Sequence, residues 1–226
     1  PDQQPRHGRV RGLQGRVALV RGVARTVLFE RAHVAAFERS NGLRASGVLV
    51  DVVAEEQYEV EVGLGRHMMY KDRTDAEYLT LIGGHVEALN HALRNVPADR
   101  VRMHVCWGNY EGPHCCDVEL GVILPTLMAA KPAALLFETS NPRHQADWNY
   151  FVEMADIIPD NKILIPGVID STTNFIEHPR VVAERIERYA GIIGRERVIA
   201  GTDCGFSTFA GFGVVDPDIV WAKLKT

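Results

Sequence analysis

Five residues able to hold a metal crowd into "RVRMHVCWGNYEGPHCCD", residues 100–117: His104, Cys106, His114, Cys115 and Cys116. A closed set of four such side chains makes a structural zinc knot, whereas three plus an exchangeable position make a catalytic zinc site. A local knot is the poorer reading, because no C-x-x-C spacing occurs. Adjacent side chains such as Cys115 and Cys116 also rarely chelate one tetrahedral ion together. His104 and Cys106 are different. They lie two residues apart on a predicted strand, so both project to one face. Cys204, in "AGTDCGF", ends another predicted strand, and Glu138 ends "AALLFE". One imidazole and two thiolates suit zinc with a fourth, exchangeable position. The bland alternative is that each Cys is only a small buried hydrophobe.

The elements that must position these residues form a repeat. Thr74 and Glu77 make a capping pattern, which predicts a helix to about Asn95. "RVRMHVC" reads as a strand, Asp117 as the cap of a helix over about 118–130, and "AALLFE" as a second strand. A helix near 146–156, the strand "KILIPGVID", and a helix from Pro179 to Gly194 follow. "RVIAGTDC" and a last helix over 216–224 complete the series. His104, Glu138, Asp170 and Cys204 end successive strands at intervals of 34, 32 and 34 residues. That period is the βα unit of a parallel sheet. The expected fold is α/β, a (β/α)8 TIM barrel, because four successive strand ends all carry reactive residues and barrels collect catalytic groups there. A doubly wound sheet concentrates them at one switch point. Four clear units make half a barrel. "RVALVRG" and "GVLVDVV" are candidate earlier strands, and the chain is short of the typical barrel of about 250 residues. Residues 1–65 therefore read as a poorly assigned, degenerate or partial-barrel region, and 66–226 as the C-terminal part of the barrel.

Composition excludes several classes. The chain has 226 residues, 46% of them hydrophobic, and a net charge of −4, which does not advertise nucleic-acid or anionic-membrane binding. Residues 1–47 hold nine Arg against three acidic residues, but no binding motif or aromatic interleaving accompanies them. Four Cys are too few for a disulfide scaffold, which points to a reduced, cytoplasmic setting. No stretch of 18 uninterrupted apolar residues occurs, and the first residues show no basic-then-apolar run; the sequence opens at Pro1 as a fragment would.

Four runs, "RVRMHVCWGNYEGPH", "ALLFETSNPRH", "ILIPGVIDSTTNFIEHP" and "RVIAGTDCGFSTFAG", occur in an order that resembles a known family. They are similar to the catalytic half of the cobalamin-independent methionine synthases, and more closely to the short, single-barrel branch that includes the epoxyalkane:coenzyme M transferases. The resemblance covers about residues 66–225. It implies a (β/α)8 barrel with a catalytic zinc ion that activates a small-molecule thiol toward a methyl or alkyl donor. The implied ligands are His104, Cys106 and Cys204, with Glu138 as a displaceable fourth. Asp170 is retained from the Asp-x-His of the synthases, but Thr172 stands where their proton-donating His would be. Candidate acids are therefore His114, His144 and His178, with Asp170 or Asp203 orienting ligands. Asn109, Asn141 and Arg143 are candidates for holding a substrate carboxylate or sulfonate. Methyl transfer to homocysteine, as in methionine biosynthesis, is the first enzymatic reading that the resemblance implies, and epoxide opening by a coenzyme M-type thiol is its alternative. A non-catalytic zinc-holding barrel or truncated scaffold is the alternative of another class, and a homo-oligomer is compatible with all three.

Overall fold

The computed structural model describes residues 48–51, 70–107, 117–206 and 215–226, the first of these as backbone only. Five strands form one sheet: β1 (Val48–Asp51), β2 (Val101–Val105), β3 (Ala134–Phe137), β4 (Ile163–Ile169) and β5 (Gly201–Thr202). Every neighbouring pair is parallel, and the spatial order is the chain order. Parallel neighbours need a crossover, and helices supply it. The described helices are α1 (Asp75–Ala92), α2 (Leu120–Met128), α3 (Trp148–Glu153), α4 (Pro179–Ile193) and α5 (Pro217–Leu224). The sheet advances one strand at a time without reversing, so it contains no switch point among the described residues. That is the winding of a barrel wall, not of a doubly wound sheet.

Local signals explain the helix boundaries. Thr74 Oγ1 accepts the Glu77 N–H at 3.3 Å while Glu77 Oε2 accepts the Thr74 N–H at 2.8 Å, a complete capping box at the start of α1. Pro179 occupies the first turn of α4, and Gly194, with φ of 88°, ends it in a conformation that costs glycine little. Two expectations are corrected. Asp117 does not cap α2: Glu119 occupies the cap position without a side-chain capping bond, and the Asp117 carboxylate turns to His144 instead. The fourth expected strand is also shorter than "RVIAGTDC", reduced to Gly201–Thr202 plus a single bridge between Val198 and Leu164. The predicted strand "GVLVDVV" contains β1, which is bonded to β2 through the pairs Val48–Val101 to Asp51–His104. "RVALVRG" lies outside the described residues.

Strand alternation divides the sheet into a packing face and a chemical face. Met103, Val105, Leu135, Phe137 and Leu164 join the main core with the helices. Phe137 stacks on Phe151 of α3 at 4.8 Å and meets Tyr189 of α4 edge-on at 5.6 Å. His104, Leu136 and Glu138 alternate with these residues and so belong to the opposite face. At the other end of the strands, lysines pin the connections. Lys162 Nζ donates to the carbonyls of Ala130 and Pro132, and Lys131 Nζ to those of Leu93 and Arg94. These contacts sit where barrel folds invest in stability rather than chemistry.

One glycine is dictated by packing. A Cβ on Gly167, in β4, would lie 2.1 Å from Asp203 Oδ1 and 2.6 Å from Asp203 Cα. Backbone cannot yield as a flexible side chain does. Gly167→Ala is expected to lower stability by about 3 kcal/mol, the upper end of ordinary overpacking costs. Gly191→Ala, in α4 with nothing within 4 Å, is expected to raise it by up to about 1 kcal/mol. Thermal denaturation of both variants checks the contrast.

Candidate metal centre

β2 ends by presenting His104 and Cys106, β3 by presenting Glu138, and the turn after β5 by presenting Cys204. One ligand atom from each lies within 4.8 Å of all the others. Cys204 Sγ is 3.1 Å from His104 Nε2, 3.5 Å from Cys106 Sγ and 3.1 Å from Glu138 Oε1. Tetrahedral zinc with bonds of 2.0–2.3 Å places its ligand atoms about 3.3–3.8 Å apart. The donor set fits zinc, and its spacings, from 3.1 Å up to 4.8 Å, bracket that range. His104, Cys106 and Glu138 are buried and Cys204 half-buried. Burial lowers the His104 pKa to about 4, against a weaker pull from the Leu136 carbonyl. The ring is thus neutral at pH 7, the form that ligates a metal. The Cys204 thiol is pushed up, first by its contact with Cys106, then by burial and by Glu138. Two thiols and a carboxylate packed this closely resist joint ionisation, and a dication is what reverses that preference.

The support beneath these donors is backbone-rich. Asp203 Oδ1 accepts the N–H groups of Thr139 and Ser140, both at 2.8 Å, and Oδ2 accepts that of Asn141 at 2.9 Å. The hydroxyls of Thr139 and Ser140 both donate to the Gly167 carbonyl at 2.7 Å. Arg185 of α4 reaches the carbonyls of Val168 and Ser140. The Cys204 N–H donates to Ser171 Oγ at 3.2 Å. Glu138 is held at both oxygens: Oε1 accepts the Trp107 N–H at 2.6 Å and Oε2 accepts Asn141 Nδ2 at 3.1 Å. Burial and the charge of Glu138 raise the Asp203 pKa to about 8, opposed by the Ser140 and Thr139 N–H groups.

The chain is similar in sequence to a coenzyme M enzyme. It is 27% identical over 143 residues to the 2-hydroxypropyl-CoM lyase of Xanthobacter autotrophicus, a match that takes in 53% of this chain and 38% of that enzyme. The chain thus spans well under half the length of the curated relative it matches. A B12-independent methionine synthase from Shewanella sp. W3-18-1 superposes with a TM-score of 0.46 at 17% identity, over 62% of this chain and 39% of that one. A Listeria monocytogenes protein assigned to the same activity gives 0.40 at 22% identity, over 57% and 36%. No family model matches the chain.

The other candidate residues have varied fates. His114 and Asn109, like Cys115 and Cys116, lie outside the described residues. His178 is exposed at the start of α4, where its Nδ1 accepts the Arg180 N–H at 3.1 Å; it caps the helix and is not part of the donor cluster. Asp170 organises its own loop, accepting the Thr172 N–H, the Thr172 hydroxyl and the Thr173 hydroxyl at 2.6–3.0 Å. Asn141 positions Glu138 directly. Arg143 pairs with exposed Glu119 at 3.2 Å. Trp107, Thr139, Ser140, Ser171 and Gly167 were not singled out from the sequence. They act through backbone groups or hydroxyls, and such roles leave no motif. Among the described residues no helix is long and apolar enough to cross a membrane.

His144 is corrected most sharply. As a general acid it would need access to substrate, yet it is 2% exposed, with Asp117 on one ring nitrogen and Asp147 on the other. Burial by itself lowers its pKa, but the bonds to Asp117 and Asp147 and the charges of Asp147 and Glu138 outweigh that and raise it from 6.5 to about 9. A histidine with a raised folded-state pKa stabilises fully below its unfolded value and loses that contribution as pH rises through the folded value. Wild-type protein is therefore expected to lose more stability than His144→Gln between pH 6.5 and roughly 9.5. Denaturant midpoints across that range measure the difference, and parallel curves would contradict it.

Proposed function

We propose that this chain carries the metal-binding part of a zinc-dependent enzyme that alkylates a small-molecule thiol. The observation behind the reading is the convergence of His104, Cys106, Glu138 and Cys204 from three separate strand ends. A zinc ion held there would supply thiol activation, since a coordinating thiol, whose ordinary pKa is near 8.5, is deprotonated outright. His104 offers Nε2 and the two Cys their sulfurs, while Glu138 offers an oxygen already shared with the Trp107 N–H. That sharing suits Glu138 to be the donor that yields when a substrate sulfur arrives. Asp203 and Asn141 keep the 138–141 turn in register while it does so.

Two features favour a coenzyme M-type thiol and an epoxide over homocysteine and a methyl-folate. One is the sequence match to 2-hydroxypropyl-CoM lyase. The other is Thr172, whose hydroxyl is committed to Asp170 at 2.8 Å, where the methionine synthase resemblance calls for a histidine. The finer fold belongs to the same proposal: the sequentially wound parallel sheet is read as an arc of a closed (β/α)8 barrel. His114 and Asn109, beyond Trp107, and Arg143 are kept as the proposed acid and substrate-holding residues. The expected setting is the cytoplasm, where thiol ligands stay reduced.

Metal analysis tests the reading first. Purified protein is expected to hold about one zinc per chain, and Cys106→Ser or Cys204→Ser to lose it. Chelation should abolish consumption of coenzyme M thiol in the presence of a small epoxide, and added zinc should restore it. Protein that takes up no stoichiometric zinc would overturn the proposal. Zinc-loaded protein that consumes homocysteine with methyl-folate, and not coenzyme M with epoxide, would reverse the substrate preference.

A further inference from the structure

Behind the donor cluster one buried ring is gripped by two carboxylates. His144 Nδ1 lies 2.9 Å from Asp147 Oδ2 and Nε2 lies 3.2 Å from Asp117 Oδ2. An ionised carboxylate can only accept hydrogen bonds. Both ring nitrogens must therefore donate, which makes the ring an imidazolium. Its face lies flat against Trp107, with centroids 4.4 Å apart and planes 18° apart. A cation over an indole face is attracted by the ring's quadrupole.

The ring's neighbours are the groups that hold Glu138. Trp107, whose indole lies beneath the ring, gives its backbone N–H to Glu138 Oε1. The backbone N–H of His144, whose path the clamped ring anchors, donates to Asn141 Oδ1 at 3.0 Å and fixes the amide whose Nδ2 reaches Glu138 Oε2. The same ring also joins the two residues that flank 108–116, Trp107 by stacking and Asp117 by the ion pair. A neutral ring would turn a lone pair toward one buried carboxylate and leave that pair repelling instead of bonded.

We propose that His144, as an imidazolium clamped between Asp117 and Asp147, is the positioning residue that aims Glu138 at His104, Cys106 and Cys204. The proposal rests on reading those four as a metal site, and it adds a part that neither the ligand set nor the thiol chemistry contains. Asp117 and Asp147 face the ring directly, and Glu138 acts on it at longer range. Together they favour the charged ring, which offsets part of their negative charge. Outer partners of metal ligands commonly change metal affinity by about 10–100-fold.

Two measurements test it. Nitrogen-15 spectra of the wild-type imidazoles should show one histidine with both ring nitrogens protonated at pH 7 and no titration below about pH 8, in line with a pKa raised to about 9. A single neutral tautomer for His144 at pH 7 would overturn the clamp. Zinc affinity, measured by competition with a chromophoric chelator, should fall about 10–100-fold in His144→Gln. The visible spectrum of the cobalt-loaded variant should change as well. Asp147→Asn, which keeps the shape of the contact, covers the case in which His144→Gln does not fold. Folded variants with unchanged zinc affinity and cobalt spectra would overturn the positioning role alone. A wild-type protein that binds neither metal would instead sink the metal reading beneath it.

Discussion

The Asp203 carboxylate is the constraint on which the rest of the site depends. It collects three successive backbone N–H groups, those of Thr139, Ser140 and Asn141, from the end of β3. Each such hydrogen bond is worth about 0.5–1.5 kcal/mol, and here they cross from one strand end to another. The strand between, β4, has to let them pass. Gly167 does so by lacking a Cβ that would occupy the space of Oδ1. Its carbonyl then takes the Thr139 and Ser140 hydroxyls. Glu138 precedes this turn and Cys204 follows Asp203, so one carboxylate sets the relative position of two candidate ligands that are 66 residues apart in the chain.

Parallel pairing explains why distant residues meet. In-register neighbours place His104 beside Leu136 and Phe137 beside Pro166, so the strands end at nearly one level. Residues just beyond those ends then gather without any long loop to carry them. Burial completes the arrangement. β2, β3 and β4 give alternate residues to the core with α1–α4, which anchors the backbone, and leave the others for the opposite face.

This regularity is also why so much was legible from residue order alone. The repeated interval from His104 through Glu138 and Asp170 to Cys204 reports the βα unit directly, and the strand and helix positions followed from it. The two-residue spacing of His104 and Cys106 reports a shared face. Asp117 was misread because Asp before an apolar run has the look of a cap. Its commitment to His144 is a contact across 27 residues that no local pattern encodes. His178 was misread for the converse reason: a histidine near a strand end suggests chemistry, but Pro179 made it a cap. The contributions of Trp107, Thr139 and Ser140 lie partly in backbone N–H groups, which every residue type possesses. Composition cannot mark them.

The two buried histidines show how surroundings, not residue type, assign a role. His104 faces the Cys204 thiol, and burial holds its pKa down to about 4. Its ring is neutral and its Nε2 is aimed at sulfur, as a ligand requires. His144 faces two carboxylates, which overcome the same burial and hold its pKa up to about 9. Its ring is charged and has no lone pair to offer a metal or a substrate. A ligand must keep a lone pair and a clamp must keep both protons, so neither residue could take the other's place without exchanging its neighbours. Glu138 stands between them, touching Cys204 on one side and held by Trp107 and Asn141 on the other. The donor cluster and the charged clamp are therefore two halves of one electrostatic arrangement.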